Sequence, residues 1–226
     1  MTKKQTTTPD QTARTAARDR LLLAVLPHVA FDGWTGSALA AGATDAGVPP
    51  VEIERLFPGG VAELIAHLGD WIDRQMAAGL ATRDLAELRL RERVALAVRL
   101  RLEALGPHRE ALRRTLSWLA LPQNVPLAAG RLYRAVDAVW CAVGDRSVDF
   151  SFYTKRALLA GVVSATTLYW LQDESEDCAA TWGFLDRRIA DVMRIPALKG
   201  RVERFAHRLP DPLRPLRGLR ELRRAR

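Results

Sequence analysis

The chain is poor in the residues that build catalytic and metal centres. Its two cysteines, Cys141 and Cys178, form neither a metal-ligand spacing nor a disulfide framework, which fits a reducing compartment. The histidines His28, His67, His108 and His207 lie far apart, and none has a Glu-x-x-His or His-x-x-x-His partner, so a helical di-iron or zinc centre has no ligand set. Gly42 and Gly47 have the spacing of a phosphate loop but lack the lysine that follows it. No serine sits in a nucleophile elbow, and neither cysteine has a base nearby in sequence. The chain therefore reads as a non-enzyme, with no cofactor and no metal. No apolar run approaches the ~20 residues of a spanning helix. Met1 to Arg20 has no apolar stretch ahead of a cleavage site and reads as a polar leader rather than a secretory signal.

What is present is a globular, helical composition. Hydrophobic residues make up 48% of the 226 positions, enough for a substantial core. The net charge of +8 is carried by the ends: +3 over residues 1–20, −2 over 21–198 and +7 over 199–226. The high isoelectric point thus reports basic termini around a slightly acidic body.

Leucine and alanine recur at spacings of three and four, and no alternating strand bounded by turn residues appears, which predicts an all-α fold. The signals place helices at Thr15–Phe31 (disturbed at Pro27), Gly36–Ala46 capped by Thr35, a short one from Pro50, and Val61–Ala78. A long helix capped by Thr82 is expected to reach Leu105, followed by helices near 108–121, 126–142, 151–171 and 176–193. The expected organisation is a disordered leader (1–14), an N-terminal module (15–80), a helical ligand-binding domain (81–195) and a basic amphipathic tail (196–226).

Within the N-terminal module, Gly33-Trp34-Thr35, Gly47 and Phe57-Pro58-Gly59-Gly60 punctuate four helices in a helix-turn-helix layout. This resembles the N-terminal domain of TetR-type regulators, with the segment from Pro50 to Leu56 as recognition helix. That segment reads Val51-Glu52-Ile53-Glu54-Arg55 and sets two carboxylates where a phosphate backbone would lie. A scaffold that binds no nucleic acid is the preferred reading.

A second set of motifs runs Asp137-Ala138-Val139-Trp140, Gly144-Asp145-Arg146-Ser147-Val148-Asp149-Phe150, Tyr153-Thr154-Lys155-Arg156, Trp170-Leu171-Gln172-Asp173-Glu174-Ser175 and Thr181-Trp182-Gly183-Phe184-Leu185-Asp186-Arg187-Arg188-Ile189. Their order and spacing resemble the lipid-binding accessory family of ubiquinone (coenzyme Q) biosynthesis, whose fold is TetR-like. The resemblance, over about residues 18–195, implies a non-catalytic protein that binds an isoprenoid lipid, quinone precursor or phospholipid. It also implies that this protein presents a membrane-embedded precursor to the di-iron demethoxyubiquinone hydroxylase. The chain lacks that enzyme's ligands. A partner-binding surface at Asp173, Trp182, Leu185 and Arg188 is carried over from the family. Taken by itself, Trp182 reads sooner as a core tryptophan than as an interface residue.

Tyr153 to Val163 opens a very apolar helix whose Ala160, Gly161, Ser164 and Ala165 make room for a neighbouring helix or for an acyl chain. Asp149 is placed to cap that helix and to pair with Lys155 or Arg156. In the tail, Leu216, Leu219 and Leu222 alternate with Arg217, Arg220 and Arg223, beyond Pro210, Pro212 and Pro215. Composition fits either a membrane-surface element or a solvated basic tail. The resemblance favours the membrane, and with it a cytoplasmic protein held peripherally at the membrane's inner face. TetR-like folds pair through their last two helices, so the expected assembly is a homodimer across 151–171 and 176–193. A TetR-type regulator with a hydrophobic effector pocket is the alternative function.

Overall fold

A computed structural model describes residues 9–144 and 151–206, with side chains for 10–144 and 155–192. The described residues form an all-α fold with no strand. The helices are α1 (Pro9–Asp32), α2 (Gly36–Asp45), α3 (Pro50–Leu56), α4 (Gly60–Ala81) and α5 (Leu90–Glu103). They continue with α6 (Arg109–Leu119), α7 (Val125–Ala142), α8 (Ser151–Trp170) and α9 (Ala179–Ala206).

Local chemistry sets most of the boundaries. Thr35 caps α2 by accepting from the Ala38 N–H at 3.2 Å. Gly33, Gly47 and Gly60 take positive φ at the three turns around α2 and α3. Where α2 crosses α1, a Cβ on Gly42 would lie 2.6 Å from the Val25 Cα, so only glycine admits that approach.

Three boundaries differ from the expectation. Helix α1 starts at Pro9 and runs through Pro27 without a break. The ring of Pro27 is exposed while Val25, Leu26 and Val29 beside it are buried, so packing on the inner face outweighs one lost hydrogen bond. Thr82 does not begin the long helix: its hydroxyl donates to the Gly79 carbonyl and closes α4. Helix α5 begins only at Leu90, where the Glu92 carboxylate accepts from the Arg89 N–H at 2.9 Å. Helix α9 continues through Pro196 instead of ending near 193.

Two apolar cores hold the helices together. The first joins α1–α4 to Leu102, Leu105, Leu112, Trp170 and Leu171. The second joins the C-terminal half of α4, through Met76 and Leu80, to α5, α7, α8 and α9. Helix α4 belongs to both, and Trp182 packs against both.

Polar contacts fasten α1 across α4. Arg18 reaches Glu63 at 2.8 Å and lies over the Phe57 ring. Asp19 accepts from His67 at 2.7 Å and from Arg74. Burial is the main reason the His67 pKa lies below its ordinary value.

Candidate functional site

An apolar cavity of about 380 Å³ lies among α4, α5, α6, α7 and α8, a size suited to small ligands. Helix α4 supplies Ile65, Leu68 and Ile72; α5 supplies Leu102 and Leu105; α6 adds Leu112, Leu116 and Leu119. The far side is Ala128, Leu132 and Ala135 of α7 with Val163, Ser164 and Leu168 of α8. Leu168 is 58% exposed and marks an apolar rim.

Two cations interrupt this wall, Arg101 of α5 and Arg131 of α7. Arg101 pairs with Asp73, and Arg131 pairs with Asp70 at 2.8 Å. Burial, with the nearby Arg131 charge second, lowers the Arg101 pKa to about 10, so it stays a cation at neutral pH.

The small residues expected on α8 divide among several settings. Ser164 joins the cavity wall, Ala160 packs on the second core, and Gly161 faces open space. Arg156 is buried and directs its guanidinium onto Asp137 of α7, with Nη2 at 2.6 Å. Lys155 stands 5.8 Å from the Trp140 ring. Asp149 lies outside the described residues, as do Leu216, Arg217, Leu219, Arg220, Leu222 and Arg223.

The other candidate region is the elbow between α8 and α9, and here the four expected partner-binding residues separate. Asp173 is buried: its carboxylate accepts from the Ser175 N–H at 2.9 Å and from the Thr181 N–H at 2.8 Å, and also from the Thr181 hydroxyl. Those bonds from Ser175 and Thr181 hold its pKa far below the carboxylate range. Asp173 therefore organises the start of α9 and offers no free oxygen face to a partner. Leu185 is 2% exposed within the second core.

Trp182, Leu185 and Ile189 share the inward stripe of α9 that a 3.6-residue period produces, whereas Asp186 points to solvent. Trp182 is half-buried. Its indole N–H donates to the Asp177 carbonyl at 2.8 Å, and the Arg99 guanidinium lies 4.8 Å from its ring. That bond holds a strained corner, since Asp177 and Cys178 have φ of 50° and 56°. Arg109 and Arg113 of α6 secure the same elbow by donating to the carbonyls of Trp170 and Leu171.

Of the four, only Arg188 is fully on the surface, paired with Asp191 at 2.9 Å and placed over the Phe184 ring. Phe184 stacks on Tyr169 with centroids 4.6 Å apart and planes within 6°. With Leu168, these residues form an outer apolar face on α8 and α9. Sequence reasoning passed over Tyr169 and Phe184, although they stand one position before Trp170 and Leu185, about 100° round each helix from the buried face. Among the described residues there is no metal-ligating cluster, and no helix is long and apolar enough to cross a membrane.

The geometry defines a class first: an all-α protein of TetR-like architecture with an apolar cavity that opens to solvent beside Leu168. A TetR transcriptional regulator from Nitrosomonas europaea superimposes with a TM-score of 0.65 at 24% identity, over 78% of this chain and 97% of that one. Residues 125–196 match the COQ9 family, the stretch that carries the second set of motifs. The mitochondrial ubiquinone biosynthesis proteins COQ9 of Drosophila melanogaster, Rattus norvegicus and Homo sapiens are 34%, 37% and 35% identical. These alignments cover 85%, 78% and 78% of this chain and 60%, 58% and 57% of the relatives. The chain is thus related to the COQ9 family, as its motifs indicated, and it spans about three fifths of the length of these relatives.

Proposed function

We propose that this chain is a non-catalytic, isoprenoid-lipid-binding accessory protein of ubiquinone biosynthesis. It binds an isoprenoid lipid or phospholipid in the cavity and presents a membrane-embedded quinone precursor to the di-iron demethoxyubiquinone hydroxylase. The observation that carries this reading is the cavity, whose wall is hydrocarbon apart from two arginines and a few small hydroxyls. A prenyl chain needs little more than such a wall. The relationship to COQ9 supports the pathway. The basic leucine-containing tail supports peripheral attachment at the membrane's inner face. Of the family-derived surface only Arg188 is exposed. Together with exposed Leu168 and Tyr169 and half-buried Phe184 beside it, it makes a face suited to the hydroxylase or to a second copy of the chain.

Solvent extraction of purified protein followed by mass spectrometry tests the lipid role. Isoprenoid, quinone or phospholipid is expected, and Ala128→Trp, which fills the cavity from α7, should sharply reduce the yield. Recovery of no lipid, or an equal yield from the filled variant, would refute it. Truncation after Leu209 should weaken co-sedimentation with anionic vesicles, and an unchanged bound fraction would remove the membrane role.

The fold likeness supports a second reading, a TetR-type regulator with a hydrophobic effector pocket. Glu54 is exposed and Glu52 half-exposed on α3, which disfavours approach to phosphate. A sequence-dependent mobility shift that survives moderate salt would restore it.

A further inference from the structure

We propose that the cavity selects its lipid by charge, taking an amphiphile with one carboxylate or phosphate head that Arg131 and Arg101 hold within the wall. This deepens the lipid-binding reading and rests on it. Asp73 and Asp70, the partners of Arg101 and Arg131, are not part of the cavity lining. Asp70 also serves Arg134 at 4.0 Å, so three guanidiniums share two carboxylates. Among the described residues, Arg131 keeps a buried Nε–H with no acceptor. Buried donors are rarely left unpaired in folded proteins, and a guanidinium fork matches carboxylate or phosphate oxygens.

The placement of Arg131 is built into the backbone. A Cβ on Gly69 of α4 would lie 2.2 Å from Arg131 Nη2 and 2.8 Å from its Cζ, so glycine at 69 lets the guanidinium lie flat against α4. Burial is the main cause of the depressed Arg101 pKa and the Arg131 charge the second; an anion between the two cations would relieve that second contribution.

Size limits the rest of the ligand. At about 30 Å³ per water-sized group, the cavity holds roughly a dozen non-hydrogen atoms. Two isoprene units ending in a carboxylate, or one bearing a phosphate, fit inside, and a longer chain leaves past Leu168.

The test is isothermal titration of lipid-stripped protein with farnesol, farnesoic acid and farnesyl phosphate. Wild type is expected to bind at least one acid about tenfold or more tighter than the alcohol, and the acid preferred identifies carboxylate or phosphate as the head. Arg131→Leu should bring acids and alcohol to within about threefold of each other. Gly69→Ala keeps every charge but displaces the guanidinium, so it should weaken the acids selectively. It also decides the matter if Arg131→Leu fails to fold. Equal binding of acids and alcohol by wild type would overturn charge selection and leave lipid binding standing. Binding of none of the three would overturn both.

Discussion

Replacing Trp182 by alanine separates a tryptophan that holds the fold from one that only meets a partner. The indole bridges the two cores, ties down the Asp177 carbonyl and carries the Arg99 guanidinium on its face. A fully buried Trp→Ala change costs about 3–5 kcal/mol, and for a half-buried ring about 2 is reasonable. The lost hydrogen bond adds about 1 kcal/mol, and the largely exposed cation–π contact about 0.5. The total is roughly 3–4 kcal/mol. For a chain of this length each kcal/mol lowers Tm by about 2–4 °C, so a drop of about 10 °C is expected by calorimetry. Trp182→Phe keeps most of the packing and loses only the donor, so about 3 °C is expected. A Tm for Trp182→Ala within about 3 °C of wild type would refute this reasoning and return the residue to a purely surface role. Any loss of the proposed hydroxylase binding by a Trp182 variant therefore has to be read beside its melt, whereas Arg188→Ala tests the outer face without disturbing the core.

Gly42→Ala forces a methyl against the Val25 backbone and should cost about 2–3 kcal/mol, read as a lower urea midpoint; an unchanged midpoint would mean that α1 and α2 part freely. His67 has a lowered pKa in the folded protein, so the unfolded chain binds more protons and stability falls as pH drops below the ordinary value of 6.5. His67→Gln should flatten that part of the profile, and an equally steep slope in the variant would assign it to another group. Asp173 has a depressed pKa in the folded protein, so its contribution is fully present above the unfolded value near 3.8 and is lost as pH falls through the lower folded value. Asp173→Asn should lower Tm at neutral pH and show a smaller further loss in acid; a Tm equal to wild type at neutral pH would show that the elbow does not need the carboxylate.

The all-α class and the order of the helices were legible because leucine and alanine spacing, Thr35, and the turn glycines act locally. Tertiary packing decided the remainder. Pro27 reads as a break until its ring is seen to face water beside the buried Val25, Leu26 and Val29. Thr82 has the residue type of an N-cap, but its hydroxyl finds the Gly79 carbonyl behind it. At the elbow, Asp173 and Leu185, carried over as surface residues, are buried, and Trp182 is half-buried. The period puts Trp182, Leu185 and Ile189 on one stripe, yet only the position of α5 and α8 shows that this stripe faces inward. The cavity was not legible residue by residue, because its leucines come from separate helices and are chemically the same as core leucines. Arg101 and Arg131 gave no signal, since an arginine on an amphipathic helix ordinarily faces water.

The same packing explains how a regulator-like fold is compatible with a different function. Helix α3 and the turn after it send Leu56 and Phe57 into the first core, while Val51, Glu54 and Arg55 face solvent. The inward residues are required for α1 and α4 to close around them, whatever the outward residues do. The outward residues are constrained only by what they touch, so their chemistry can change without cost to the core. The cavity is under the opposite constraint. Ile65, Leu68 and Ile72 of α4 are at once members of the first core and part of the cavity wall, and α1 is fastened over the same helix through Arg18, Asp19 and His67. The N-terminal helices therefore hold one wall of the cavity in place, which gives them a physical role that requires no contact with nucleic acid.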